Sequence, residues 1–208
     1  MPDFSIENLH NGLVAGIDEA GRGPWAGPVV AGAVIILDKN ISNELLEGLD
    51  DSKKLSAAKR EKLYIKLFEE ENKGKIHIGI GQASCQEIDE LNILQATFLA
   101  MNRAVENLKI KPDLALIDGN KCPNNLLCPS KSVVKGDSIS ISISAASIVA
   151  KVYRDKIMHD LSKIYPYYAF EKNAGYGTAA HIEALVNHGV TPEHRKSYKP
   201  IKELLESD

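Results

Sequence analysis

Two short apolar runs joined by a glycine turn set the strongest limit on how this chain can fold. Leu13 to Asp18 reads as an apolar strand. Pro28 to Leu37, rich in Val, Ala and Ile, reads as a second, and Gly21-Arg22-Gly23-Pro24 between them is turn chemistry. Ser56 is placed as the N-cap of a helix that runs to about Asn72, with Leu63, Leu67 and Phe68 on one face. Lys75 to Ala83 alternates Ile76, Ile78 and Ile80 inward as a third strand. Ser84–Leu91 and Ile93–Leu108 read as helices, and Pro112–Asp118 as a buried strand. Residues 121–135 are irregular, with a hairpin as one reading. Ser138 to Ser144 alternates Ser and Ile as a strand would, yet Ile141, Ala145, Ile148 and Val152 form a helical stripe toward Lys163. The favoured reading is a short extended entry and a helix starting between Ile141 and Ser144. His181–His188 and Ile201–Glu206 complete the helices. Strands first, then strand with helices, then helices alone imply a mixed α/β sheet followed by a helical C-terminal part.

The 208 residues are 44% hydrophobic and 25% charged, which suits one globular domain with a real core. The first twelve residues carry no basic start followed by an apolar run, and no stretch is apolar enough to span a bilayer. Cys85, Cys122 and Cys128 are an odd number without framework spacing, so a reducing cytoplasm is expected. Cys122 and Cys128 lack a second Cys or His pair to complete a zinc site and read as ordinary thiols. The net charge of −3 runs against a broad nucleic-acid footprint, so any such binding needs a local patch. The candidates are Lys53, Lys54, Lys59, Arg60 and Lys62, and later Arg195, Lys196, Lys199 and Lys202; both also fit solvated faces.

The carboxylates carry the chemistry. Asp18-Glu19 sits where an apolar strand meets a glycine turn, and successive strand residues point to opposite faces. Both can therefore serve one site only if the strand ends or bulges there. Asp118 closes an apolar strand against Gly119, and Asp137 precedes the long helix. Taken singly, these residues also fit a turn former, a turn and a helix cap. Taken together they are costly, because two carboxylates ~4 Å apart repel by roughly 4 kcal/mol at an effective dielectric of about 20. Such a cluster needs a proton or a cation, and hard oxygen ligands select Mg²⁺ or Mn²⁺ over zinc. Two such ions can activate a water and stabilise the leaving oxygen of an in-line phosphoryl displacement.

Longer blocks add a resemblance. Gly16-Ile17-Asp18-Glu19-Ala20-Gly21-Arg22-Gly23-Pro24 with Gly27-Pro28-Val29-Val30 is similar to the opening signature of the ribonuclease HII family. Asp51-Ser52-Lys53-Lys54-Leu55-Ser56, Ile117-Asp118-Gly119-Asn120, Lys135-Gly136-Asp137-Ser138, Ala145 to Val152, Gly175-Tyr176-Gly177-Thr178 and His194-Arg195-Lys196-Ser197 follow in family order. The resemblance runs from about residue 14 to 198. It implies a ribonuclease H-like fold: a central mixed five-stranded sheet flanked by helices, with residues 13–165 as the α/β core and 166–208 as a helical C-terminal region. It implies a catalytic, metal-binding set of Asp18, Glu19, Asp118 and Asp137. The related ribonuclease HIII type has Lys where Arg22 stands and Glu as the fourth acid, and this chain has neither.

The same resemblance implies that the backbone of Gly21, Arg22 and Gly23 reads a ribose 2′-OH, the one group that marks a ribonucleotide within a DNA strand. It implies that Tyr176, exposed between two glycines, stacks on the following deoxyribose, and that Ser52 and Lys53 contact backbone phosphates. Arg195 is either a further substrate contact or a salt-bridged surface arginine. His194 has no feature of a ligand, and His181 and His188 are expected on a helix surface. The implied activity is an endonuclease on RNA–DNA hybrids and on single ribonucleotides in duplex DNA. It would act as a monomer and leave 3′-OH and 5′-phosphate ends. A proofreading exonuclease of the same fold and a non-catalytic hybrid-binding module are the competing readings. The first would lack the Gly-Arg-Gly block, and the second would lack a carboxylate.

Overall fold

The computed structural model describes residues 2–49 and 55–207. Its sheet has five strands among these residues: β1 (Val14–Ala20), β2 (Val29–Ile36), β3 (Ile76–Ala83), β4 (Leu114–Asp118) and β5 (Ser130–Val133), in the order β3-β2-β1-β4-β5. The pairs β1–β2 and β2–β3 are antiparallel, while β1–β4 and β4–β5 are parallel. The helices are α1 (Asn43–Gly48), α2 (Ala57–Asn72), α3 (Cys85–Leu91), α4 (Ile93–Glu106), α5 (Ile141–Ile164), α6 (Phe170–Asn173), α7 (Ala179–His188) and α8 (Lys199–Ser207).

Both faces of the sheet are covered, which is why β2 reads as an unbroken apolar run. On one face Ala15 and Ile17 pack with Ala96, Ala100, Met101 and Ala104 of α4. On the other, Val34 and Ile78 pack with Leu63 and Leu67 of α2 and with Ala145, Ile148 and Val149 of α5. The N-terminal half of α5 carries small residues, and Ser142 and Ala146 lie directly against Gly16 of β1 and Gly32 of β2. Capping follows local chemistry: Ser56 Oγ accepts from Lys59 N, Ser140 Oγ accepts from Ile143 N, and Ser84 with Glu87 forms a reciprocal capping box.

Two local expectations change. The hairpin over residues 121–135 is instead a four-residue edge strand, β5, running parallel to β4, with Ala115 N donating to Pro129 O and Gly119 N to Val133 O. The alternation of β3 is not one-sided: Ile76 and Ile78 are buried, Ile80 only half-buried, and Gly79 and Gly81 are buried against α4. The sequence also left the short α6 without a helix signal. The extended entry before α5 does occur, since Ser140 bridges to Asp3 just ahead of the first helical residue, Ile141. Among the described residues no helix is long and apolar enough to cross a membrane.

Helices α6 to α8 gather on the end of α5. Ala26, Met158, Tyr168, Phe170, Ala184, Leu185 and Ile201 make a separate apolar cluster there. His181 belongs inside this region, not on the helix surface, because its ring is closed in by Phe170 and Tyr168 and finds a polar partner on each nitrogen. His188 is exposed as expected and stacks on Tyr167.

Candidate functional site

The site is built where β1 and β4 end beside the start of α5. Parallel strands put residues of equal register on the same face. Ile17 pairs with Ile117, so Asp18 and Asp118 follow side by side. Gly16 faces Ser142 of α5, and Asp18, two residues on, shares that face. Asp137 enters from the turn before α5, and carboxylate oxygens of Asp18, Asp118 and Asp137 lie within 4.8 Å of one another. The turn is fastened to the strand, since Gly136 N donates to Asp118 Oδ1 at 2.7 Å.

Glu19 stands outside this group. Strand β1 does not break after Asp18 but stays in register with β2 through Glu19↔Ala31 and Ala20↔Val30. Alternation therefore turns Glu19 to the α4 face, where it lines a cleft of about 380 Å³ with Arg22, Thr97 and Asp118. Glu19 Oε1 pairs with the Arg22 guanidinium at 3.2 Å. Burial pushes the Asp18 carboxyl well above the usual carboxylate range, and the charges of Glu19 and Asp118 push it further. The Ser147 hydroxyl and the Glu19 N–H, both donating to Asp18, oppose that rise without cancelling it. An all-oxygen cluster in which one acid resists ionising suits a hard divalent cation, whose charge would offset the repulsion.

The glycine turn after β1 is held from beneath by two buried arginines. Arg195 is wholly buried and donates to the carbonyls of Gly27 (3.0 Å from Nε), Arg22 (2.9 Å) and Gly21 (2.5 Å). Arg154 donates to the carbonyls of Pro28, Ala174 and Ala26. Burial, and next the charge of Arg195, push Arg154 down to about 10, so it is still cationic at neutral pH. Gly21 has φ +95°, and a β-carbon there would overlap the Arg154 side chain. Gly23 serves a different need: a β-carbon on it would lie 3.3 Å from Cε1 of Tyr176, whose ring is 52% exposed. Tyr176 and the turn thus form one surface, along a second cleft of about 360 Å³ that also takes in Glu19, Ser147 and Lys151.

Of the residues singled out in the sequence, Asp18, Asp118 and Asp137 form one cluster; Glu19, Gly21, Arg22, Gly23 and Tyr176 line the adjoining clefts. Ser52 and Lys53 lie outside the described residues. Arg195 is neither a surface arginine nor a member of a basic face; burial removes it from the Lys196, Lys199 and Lys202 run. Lys199 and Lys202 pair with Glu203 and Glu206 along α8. Cys85, Cys122 and Cys128 are free thiols. Sequence reasoning missed Ser147, Lys151 and Arg154, although their i, i+4, i+7 spacing is one helix face and could have marked them.

This sheet order is that of the ribonuclease H-like fold, with an acidic cluster that could hold a metal at the strand ends, and with the family that follows it makes the chain a metal-dependent hydrolase acting on phosphodiester bonds. The family model for ribonuclease HII matches residues 15–201, and the chain belongs to the ribonuclease HII family. It is 54% identical to the ribonuclease HII of Rhodospirillum rubrum over 99% of this chain and 92% of the relative. It is 51% identical to that of Gluconobacter oxydans over 100% and 98%. Among solved structures, the ribonuclease H2 of Pyrococcus horikoshii superposes with a TM-score of 0.74 at 29% identity, over 94% of this chain and 98% of that one. The chain is accordingly an endoribonuclease acting on RNA in RNA–DNA hybrids.

Proposed function

We propose that the chain also nicks duplex DNA on the 5′ side of an embedded ribonucleotide, leaving a DNA 3′-OH and a 5′-phosphorylated ribonucleotide, in ribonucleotide removal and primer clearance. The observation that carries this is the close approach of Tyr176 to Gly23, where a β-carbon would lie 3.3 Å from the ring. It joins a turn suited to reading a 2′-OH to an exposed ring suited to stacking on the next sugar.

Asp18, Glu19, Asp118 and Asp137 would hold the divalent cation, Mg²⁺ or Mn²⁺, with the three aspartates already gathered and Glu19 beside them in the neighbouring cleft, its charge acting on Asp18. When bound, the cation supplies activation of water and neutralises charge developing at the scissile phosphate. Arg195, bonded to the carbonyls of Gly21 and Arg22, and the Arg154 side chain packed under Gly21 keep the Gly21–Gly23 turn rigid, so its backbone meets the ribose in one geometry. Their two buried charges also lie under the loop that the phosphates pass, which suits a chain of net charge −3. Ser52 and Lys53 contact backbone phosphates from the segment before α2.

Residues 1–208 work as one catalytic domain, a monomer in the cytoplasm. The core of residues 13–165 carries the acids, and the helical region of 166–208 carries Tyr176. The deciding experiment is cleavage of a duplex with one ribonucleotide, closed into a circle, with the nick mapped to the base. A nick 5′ of the ribonucleotide that needs Mg²⁺ or Mn²⁺ supports the reading. An uncut circle, or a cut elsewhere, ends it.

A further inference from the structure

Two buried imidazoles that the chemistry above does not use are wired to Tyr176. His181 Nε2 and His194 Nε2 lie 2.9 Å apart, and both rings are almost completely buried. The proton positions follow from the outer partners. Thr191 N, an obligatory donor, points at His194 Nδ1 at 3.0 Å, so that nitrogen carries a lone pair and the His194 proton sits on Nε2. His194 Nε2–H must then donate to His181 Nε2, which leaves the His181 proton on Nδ1. That nitrogen is 2.9 Å from the carbonyl of Tyr176, which accepts. Every polar atom of both rings is thereby used in one direction, from Thr191 through the two rings to Tyr176.

We propose that His181 and His194 are positioning residues for junction recognition: this one-way chain gives the Tyr176 carbonyl a second donor beside Thr178 N, and the two together hold the Tyr176 ring beside Gly23. The inference rests on the reading that Tyr176 senses the sugar after the ribonucleotide. Burial holds both imidazoles below the ordinary histidine value, so the chain of neutral rings is intact at neutral pH. The pair touches no carboxylate of the acidic cluster, so its loss bears on where the substrate sugar sits and not on holding a cation. The backbone of Tyr176 is also tied by its N–H to Asn173 O, and its carbonyl accepts from Thr178 N at 2.8 Å, so His181 is the second donor on that carbonyl and sets its direction jointly with Thr178.

The first test is ¹⁵N NMR of the imidazoles in the wild-type protein at pH 7. His181 should be protonated on Nδ1 and His194 on Nε2. The opposite tautomers, or a charged ring, overturn the proposal whatever the variants do. The second compares His181→Leu with His181→Asn, whose side-chain amide keeps a donor near the position of Nδ1. Nuclear Overhauser contacts between the Tyr176 ring and Gly23 should vanish in the first and survive in the second. The ratio of kcat/KM for the single-ribonucleotide duplex over a continuous hybrid should fall about 10-fold in His181→Leu, the scale of one lost stacking contact, and recover in His181→Asn. In a Tyr176→Ala background His181→Leu should leave that ratio unchanged. Equal losses on both substrates, or no recovery with Asn, overturn the positioning role. If Tyr176→Ala alone leaves the ratio unchanged, the junction reading has failed instead, and the tautomers and ring contacts still decide whether the pair positions Tyr176.

Discussion

Asp18 and Asp118 stand side by side on neighbouring parallel strands, one position past the paired Ile17 and Ile117. Burial together with the charges of Glu19 and Asp118 raises the folded-state pKa of Asp18, so the folded protein without metal takes up a proton more readily than the unfolded chain. Its stability should therefore rise as pH falls through that raised value. Asp18→Asn should lower kcat by more than about 10-fold, a cost above about 1.4 kcal/mol, yet raise the Tm of the metal-free protein by a few degrees. Steady-state kinetics and thermal melts in chelator check both halves. A lowered Tm would show that the carboxylate is a structural partner rather than a strained one.

Tyr176 and Gly23 should respond as one surface. Tyr176→Phe keeps the flat ring and should cost little. Tyr176→Ala should cost about 1–3 kcal/mol in kcat/KM, mostly on duplexes with a single ribonucleotide. Gly23→Ala puts a β-carbon 3.3 Å from Cε1, so the half-exposed ring must shift by a small amount, and the variant should show a milder form of the Tyr176→Ala pattern with little change in Tm. Paired kinetics on the two substrates separate this from a general loss of activity.

Gly21 and Arg195 should instead fail through folding. At φ +95°, with Arg154 against the missing side chain, Gly21→Ala should cost about 2 kcal/mol or more. Arg195→Lys puts a point charge in place of a planar fork that serves three carbonyls, and should cost about 2–3 kcal/mol, roughly 5–10 °C in Tm. Urea titrations give both values. Unchanged stability in Arg195→Lys would mean that the carbonyls find other donors.

His194 gives the acid side of the stability profile. Burial, and then the neighbouring His181, push its folded-state pKa down to about 4. A base held below its unfolded value of about 6.5 binds its proton first in the unfolded chain, so the contribution is whole above that pH. It is lost as pH falls from about 6.5 to about 4, and amounts to at most about 3 kcal/mol. The difference in unfolding free energy between wild type and His194→Gln should shrink over that window. A difference independent of pH would show that His194 titrates normally.

The legible part of the fold was local. Ser56, Ser84 and the stripe from Ile141 to Val152 mark helices through contacts three or four residues apart, and those elements lie close to where they were expected. β5 was not legible, because Ser130–Val133 holds one apolar residue and becomes a strand only by pairing with β4. His181 and Arg195 misled for a related reason: polar residues on a helix or loop look solvent-facing until their partners are known.

By itself the sequence determined the glycine turn, the order of the longer elements and the family, and it pointed to the acids, since all of these are written in residue identity and short-range spacing. Tertiary structure alone decided which side of β1 Glu19 takes, since that depends on the strand continuing in register with β2. It also decided that Arg195 is an internal tie to a carbonyl 173 residues earlier, and that His181 and His194 meet across 13 residues. Such bonds complete groups that local partners such as Tyr198 and Thr191 satisfy only in part, and a buried polar atom left over must find a distant partner or forfeit its hydration.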